Sequence, residues 1–310
     1  MQKLQGQHLC RFASPFFMEI NGKDIANKIL EYLRDEVKKQ ALTPKLVVFS
    51  INPSESDQIY IKLKREAATF IGAEFEVVYF KKTPRFEEFA NILRTKADSI
   101  QTSGLIIQRP LPSQLSTDTV FNYVPTIKEI EGHKAKSPFL PPLGLGVLTM
   151  IKYIYDPASK ENPDNLIVDI KKDMSFFKNV LRRKKIVLMG RGETGGKPIG
   201  KILSTLSINY INTHSKTSPE SEFYADADII ITATGKKVVS PAMIKPGVIL
   251  LNVGFRREAG LSKGDYDKDE IKDIASFYTP TPGGIGPLEI AYLMSNLVES
   301  AKLQKAKFSS

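Results

Sequence analysis

Residues 185–200 read KIVLMGRGETGGKPIG. Lys185–Met189 has the apolar character of a strand, and a helix-like segment, expected over 197–206, follows the turn. Between them Gly190-Arg191-Gly192-Glu193-Thr194-Gly195 spells G-x-G-x-x-G. Glycines there let the backbone approach phosphates at a helix N-terminus. Alone, the pattern fits any glycine-rich turn. Between strand and helix it points to a dinucleotide, with Gly190, Gly192 and Gly195 at the contact positions.

The end of the next strand, expected over Asn209–Asn212, selects the nucleotide. An NAD site places an acid roughly 20 residues on, to bind the ribose 2′-hydroxyl. Here Asn212-Thr213-His214-Ser215-Lys216-Thr217 contains none. Arg191, Ser215 and Lys216 are donors suited to a 2′-phosphate, so NADP is the expected cofactor. A solvated loop is the plainer alternative for this patch.

The same alternation runs outward in both directions. Further strands are expected at Asp228–Ala233 and Val248–Val253. In the first half a helix at 24–40, capped by Asn21 or Asp24, precedes a strand at Lys45–Ser50. A helix at Gln58–Ile71, stopped by Gly72, a strand at Glu76–Phe80, a helix near 86–100 and a strand at Gly104–Gln108 follow. Strands alternating with helices predict an α/β fold with parallel sheets. The stretch 109–146, rich in proline and glycine, is expected to be loop lining a site. Asp156-Pro157, Asn162-Pro163 and a mixed-charge run at 155–178 separate the halves. The expected architecture is two domains with a cleft between them. Residues 18–150 form the catalytic, substrate-binding domain, completed by an amphipathic C-terminal helix (288–310, helical over about 288–305). Residues 151–287 form a Rossmann-like, NADP-binding domain.

The bulk properties agree. A chain of 310 residues suits about two domains. At 42% hydrophobic and 25% charged residues it is globular in composition, and no stretch nears the roughly 18 apolar residues that span a bilayer. Its single cysteine, Cys10, excludes an internal disulfide framework and fits a reducing, cytoplasmic compartment. The three histidines offer no metal-ligand spacing, so no metal is expected. The net charge of +10 is spread along the chain, which ranks nucleic acid behind small anions drawn to a basic surface. Arg11, Phe12, Phe16 and Phe17 give residues 1–17 a faint organellar-presequence character, and Met18 offers a cleaner start.

Chemistry in the first half rests on scattered residues. Tyr60 and Lys64, four apart, share a helix face. A ring beside an ammonium suits a flat anionic or imine-bearing substrate, although from spacing alone a surface lysine packed on a tyrosine is the simpler reading. Gln108 ends a strand before Arg109-Pro110-Leu111-Pro112, where it can meet a ligand or satisfy loop amides. Glu131-Gly132 lies in a loop, and Pro282-Gly283-Gly284-Ile285-Gly286-Pro287 leads into the last helix. That backbone-rich loop is suited to a heterocycle, or to a tight connection.

In this order YIKLK (60–64), QRPLP (108–112), KEIEG (128–132), GRGETGGKP (190–198), HSKT (214–217) and TPTPGGIGPLEIA (279–291) resemble the bifunctional methylenetetrahydrofolate dehydrogenase/cyclohydrolase family, over nearly the whole chain from Met18. The resemblance implies that Lys64 is the catalytic lysine, Gln108 its partner and Tyr60 the ring that stacks on folate. It puts Glu131 at the pterin-binding carboxylate, with Gly286 and Pro287 on the substrate. Arg191 and Ser215 fall on the NADP 2′-phosphate. It further implies oxidation of 5,10-methylenetetrahydrofolate by NADP, hydrolysis of the methenyl cation to 10-formyltetrahydrofolate, and a homodimer formed through the second domain.

The chain departs from that family at several places. Glu131 replaces an aspartate, Asp57 a serine, Arg109 a leucine, Gly192 a serine and Glu289 a threonine. Pro142-Leu143-Gly144 stands at a Cys-Thr-Pro segment, and 155–178 is longer by about two dozen residues. Such changes leave open a dehydrogenase that has lost the cyclohydrolase step, or a noncatalytic nucleotide- or folate-binding relative. A dehydrogenase of another substrate, such as a shikimate-type oxidoreductase, fits QRPLP and the proline-glycine block less well.

Overall fold

The computed structural model describes residues 18–161, 165–218 and 222–309. The presequence-like reading of residues 1–17 and the Asn162-Pro163 turn lie outside them.

After a two-residue strand β1 (Met18–Glu19), the first half runs α1 (Gly22–Lys39), β2 (Lys45–Ile51), α2 (Glu55–Phe70), β3 (Glu74–Phe80), α3 (Phe86–Asp98) and β4 (Gly104–Ile107). Asn21, not Asp24, caps α1 by accepting from the Lys23 amide; Asp24 in the first turn and Lys38 and Lys39 in the last complement the helix dipole. Strand β2 lies between β3 and β4, all parallel, with Val48 level with Val77 and Ile106. Alternation sorts the side chains. Leu46, Val48 and Ile106 join the main core, whereas Val47, Phe49, Leu105 and Ile107 pack with Phe89 and Leu93 of α3. Helix α2 starts three residues before Gln58 because Ser54 and Asp57 form a capping box. Gly72, at φ 84°, follows its end as expected.

A short α4 (Asp118–Asn122) sits in the connection that follows. Helix α5 (Pro142–Tyr155) then begins inside the stretch read as loop. Proline at a first helical position forgoes only an amide that would be unpaired anyway. The two glycines serve packing rather than turning. A Cβ at Gly144 would come within 2.3 Å of Ile202, and one at Gly146 within 3.2 Å of Leu288. In the separating region, α6 (Ala158–Glu161) and α7 (Ile170–Leu181) form, and α7 buries Ile170, Phe177 and Leu181 in the main core.

The second half comprises β5 (Ile186–Met189), α8 (Gly196–Thr205), β6 (Ile211–Thr213), α9 (Glu222–Ala225), β7 (Ile229–Thr232), β8 (Ile249–Asn252), β9 (Arg256–Glu258), β10 (Leu261–Lys263), α10 (Lys268–Ile271), β11 (Phe277–Tyr278) and α11 (Ile285–Ser309). Six parallel strands lie in the order β1-β11-β8-β7-β5-β6, and β9 and β10 form a separate antiparallel hairpin. Met18–Glu19, counted with the first domain in the sequence, is thus an edge strand of the second sheet. No helix among the described residues is long and apolar enough to cross a membrane.

Helix α11 packs against α1 and α5. Its polar residues Tyr292, Asn296 and Ser300 recur every fourth position and are all buried. The Tyr292 hydroxyl bonds Thr149 and accepts from the Val168 amide. The Asn296 amide donates to the carbonyls of Ile130 (2.7 Å) and Leu140 (3.0 Å). The Ser300 hydroxyl lies 2.7 Å from the Ser103 carbonyl and 2.5 Å from that of Ile127. Replacing Asn296 by alanine leaves two inner carbonyls without donors, so Asn296→Ala is expected to cost about 2–4 kcal/mol in urea unfolding.

Candidate functional site

The carboxyl ends of the two parallel sheets face a common cleft of about 500 Å³. Open parallel sheets bind ligands at this end, where loops can vary without disturbing the strands. One wall carries Asp57, Tyr60 and Lys64 from α2, Gln108 beyond β4, Glu131 from the following loop and Glu289 from α11. The opposite wall is largely backbone: Gly192, Gly195, Ala233, Thr234 and Gly254.

Lys64 is buried, and its Nζ donates to Gln108 Oε1 at 3.0 Å. The Gln108 amide is oriented in turn, since its Nε2 faces Asp57 Oδ1 and the Arg109 carbonyl, each at 3.4 Å. Asp57 uses its other oxygen, Oδ2, to accept from the Ser54 amide. One carboxylate therefore both starts α2 and steadies Gln108. Burial, with Glu289 nearby, pushes the Tyr60 phenol up to about 12, so its hydroxyl stays protonated at neutral pH.

Glu131 stands on a loop anchored from two sides. The buried Glu129 carboxylate accepts amides of Glu131, His133 and Lys134, and Lys201 of α8 donates to the Gly132 carbonyl at 2.6 Å. Gly132 has φ 69°, and a Cβ there would strike the Leu140–Pro141 peptide at 2.7 Å. Burial raises the Glu131 carboxyl, while the cations Lys64 and Arg109 pull it back down. His133 Nε2 lies 4.0 Å from Glu131, but burial favours the neutral imidazole.

Arg109 spans the two halves. Its guanidinium bonds Glu193 of the glycine turn at 2.6 Å and stacks over Phe121 at 4.4 Å. Glu193 follows Gly192, where a Cβ would meet nothing within 4 Å. At Gly190, φ is 115° and a Cβ would sit 2.4 Å from the Ala233 carbonyl. Helix α8 has no side-chain N-cap, which leaves room at its N-terminus for phosphate oxygens. The pairing of Met189 with Thr213 sets the ends of β5 and β6 side by side, with Arg191, Ser215 and Lys216 exposed beyond them. The Asn212 amide closes this edge on the Gly190 carbonyl at 3.0 Å.

Two family models match the chain in sequence order. Residues 20–131 match the catalytic domain of tetrahydrofolate dehydrogenase/cyclohydrolase and residues 170–305 its NAD(P)-binding domain. The chain belongs to the tetrahydrofolate dehydrogenase/cyclohydrolase family. It is 30% identical over 291 residues to the bifunctional protein FolD of Staphylococcus aureus, covering 92% of this chain and 97% of that one. The corresponding figures for FolD of Lactobacillus acidophilus are 28% over 292 residues, with 93% and 98% covered. The crystal structure of the bifunctional FolD dehydrogenase/cyclohydrolase of Campylobacter jejuni superposes with a TM-score of 0.78 at 27% identity, covering 92% and 99%.

In this member of the family Tyr60, Lys64, Gln108 and Glu131 converge on one cleft, with Gly192 and Gly195 opposite. Gly286 and Pro287 line an adjoining, more apolar groove of about 520 Å³, which shares Tyr60 with the cleft. Arg191, Ser215 and Lys216 stand outside both. Sequence reasoning missed the packing glycine Gly196, whose Cβ would lie 2.0 Å from the Gly190 carbonyl; the doubled glycine at 195–196 was the available signal. It also missed the Arg109–Glu193 bridge and the anchoring by Glu129, which have no local signature. Gly196→Ala is expected to force the glycine turn open and weaken dinucleotide binding at least about tenfold, read by calorimetric titration with NADP.

Proposed function

We propose that this chain oxidises 5,10-methylenetetrahydrofolate with NADP and hydrolyses the resulting methenyl cation to 10-formyltetrahydrofolate. The observation that carries the reading is the buried Lys64–Gln108 pair, held at 3.0 Å in a cleft that also receives the glycine turn. Tyr60 offers its ring to the folate and Glu131 its carboxylate to the pterin donors. Gly286 and Pro287 border the part of the substrate that leaves the cleft. Lys64 handles the proton of the attacking water, and Gln108 keeps its amine aimed.

The open face at Gly192 and the uncapped N-terminus of α8 fit a pyrophosphate, so Gly190, Gly192 and Gly195 hold the nucleotide there. The edge formed by Arg191, Ser215 and Lys216, with no acid at the end of β6, fits a 2′-phosphate and favours NADP over NAD. When bound, the nicotinamide supplies the hydride acceptor. NADP also occurs with an inhibitor in the enzyme of Trypanosoma brucei, which shares the fold at a TM-score of 0.78 and 20% identity.

We extend the reading to a two-domain division at 18–150, completed by 288–310, and 151–287, and to a cytoplasmic homodimer that does not engage nucleic acid. The spread basic charge suits steering of anionic folates and nucleotides. The test is steady-state turnover of methylenetetrahydrofolate with NADP and separately with NAD, followed at the methenyl absorbance. NADP is expected to support turnover, and Lys64→Ala to lower hydrolysis by about a hundredfold or more. NADP binding without turnover would instead mark a noncatalytic relative.

A further inference from the structure

Glu289 is a carboxylate in the cleft with no hydrogen-bond or ion-pair partner among the described residues. It sits in the first turns of α11, in the wall that carries Tyr60, Lys64 and Glu131. No hydrogen bond to its carboxylate occurs among the described residues, whereas Asp57 and Glu129 are each tied to amides. The ionisable and charged groups facing the cleft are Asp57, Tyr60 and Lys64 of α2, Arg109 beyond β4, and Glu131 and His133 of the anchored loop. The opposite wall of glycines, alanine, threonines, valine and phenylalanine contributes no titratable group among the described lining residues.

The two unanchored carboxylates are not equivalent. Burial raises the Glu131 carboxyl, but two cations, Lys64 and Arg109, offset part of that push. Glu289 has Lys64 alone and is repelled by Glu131; burial is the larger influence and pushes its carboxyl up to about 7. A carboxyl that gains and loses a proton near neutrality, in the cleft wall that carries Lys64, is suited to proton transfer rather than to permanent charge pairing.

Resting on the functional reading above, we propose that Glu289 is a proton-relay residue for the hydrolytic half-reaction, receiving through Lys64 the proton released by the attacking water. The water oxygen bonds to the methenyl carbon, and one water proton passes to the Lys64 amine and, across one bridging water, on to Glu289. The hydroxyl proton of the adduct is then lost as its C–O bond becomes a carbonyl. The C–N5 bond breaks with its electron pair on N5, and N5 takes up a proton. One proton is released overall and nothing is oxidised.

The relay requires an ionised Glu289, so hydrolysis is expected to fall as pH drops through about 7. The test measures hydrolysis of methenyltetrahydrofolate against pH, corrected for the uncatalysed rate, in wild type, Glu289→Gln and Glu289→Asp. Thermal melting confirms that the variants fold. Glu289→Gln is expected to lower kcat about a hundredfold and abolish the limb near neutrality, with Glu289→Asp restoring the limb. Retention of both rate and limb in Glu289→Gln overturns the relay, as does an equal loss in Glu289→Asp with no limb. Dehydrogenation by the wild type is measured alongside. A wild type inactive in both reactions overturns the functional reading itself, and the relay with it.

Discussion

Tyr292, Asn296 and Ser300 form a polar stripe down the buried side of α11, and Asn296 and Ser300 hold the connection that carries Glu131. The connection between β4 and α5 has few partners in either sheet, yet it must run through the interior. Its carbonyls at Ile127, Ile130 and Leu140 are answered by α11 side chains. Apolar packing holds the helix against α1 and α5, and the stripe converts that rigidity into a fixed position for Glu131. The same helix carries Glu289 in its first turns, in the wall of the cleft.

The cleft brings unlike electrostatic walls together. The wall built from α2, the Glu131 loop and α11 concentrates ionisable side chains with limited access to water, where each charge shifts its neighbours. The opposite wall of the cleft is built largely from small uncharged residues that expose backbone. Arg109 connects the two, its charge shared between Glu193 in the glycine turn and Glu131 in the pocket. Its stacking on Phe121 limits the guanidinium to few orientations.

Features that depend on neighbours in sequence were legible from it. The glycine turn follows a strand and precedes a helix, the Tyr60–Lys64 spacing is one helical step, and Gln108 ends an apolar run. Alternation exposed the parallel strands for the same reason. Residues whose meaning comes from distant partners were not legible. Pro142, Gly144 and Gly146 have the chemistry of a loop and become a helix only because α8 and α11 need to approach closely. Glu193 resembles any solvated turn residue until Arg109 arrives from the other half of the chain. Glu289 was visible as a departure from the family, but its lack of a donor among the described residues required the three-dimensional wall around it.

The pairing of β1 with β11 joins an early segment to a late one. On a ribosome, β1 emerges long before its partner, and α1 must similarly wait for α11. The first sheet can assemble while the second half is still being made, but the main core stays open on the side that α11 will cover. Completion of the pocket and closure of the core are therefore the same event in chain synthesis. A shortened nascent chain presents Lys64 and Gln108 without the wall that holds Glu289, so competence for chemistry arrives abruptly rather than domain by domain.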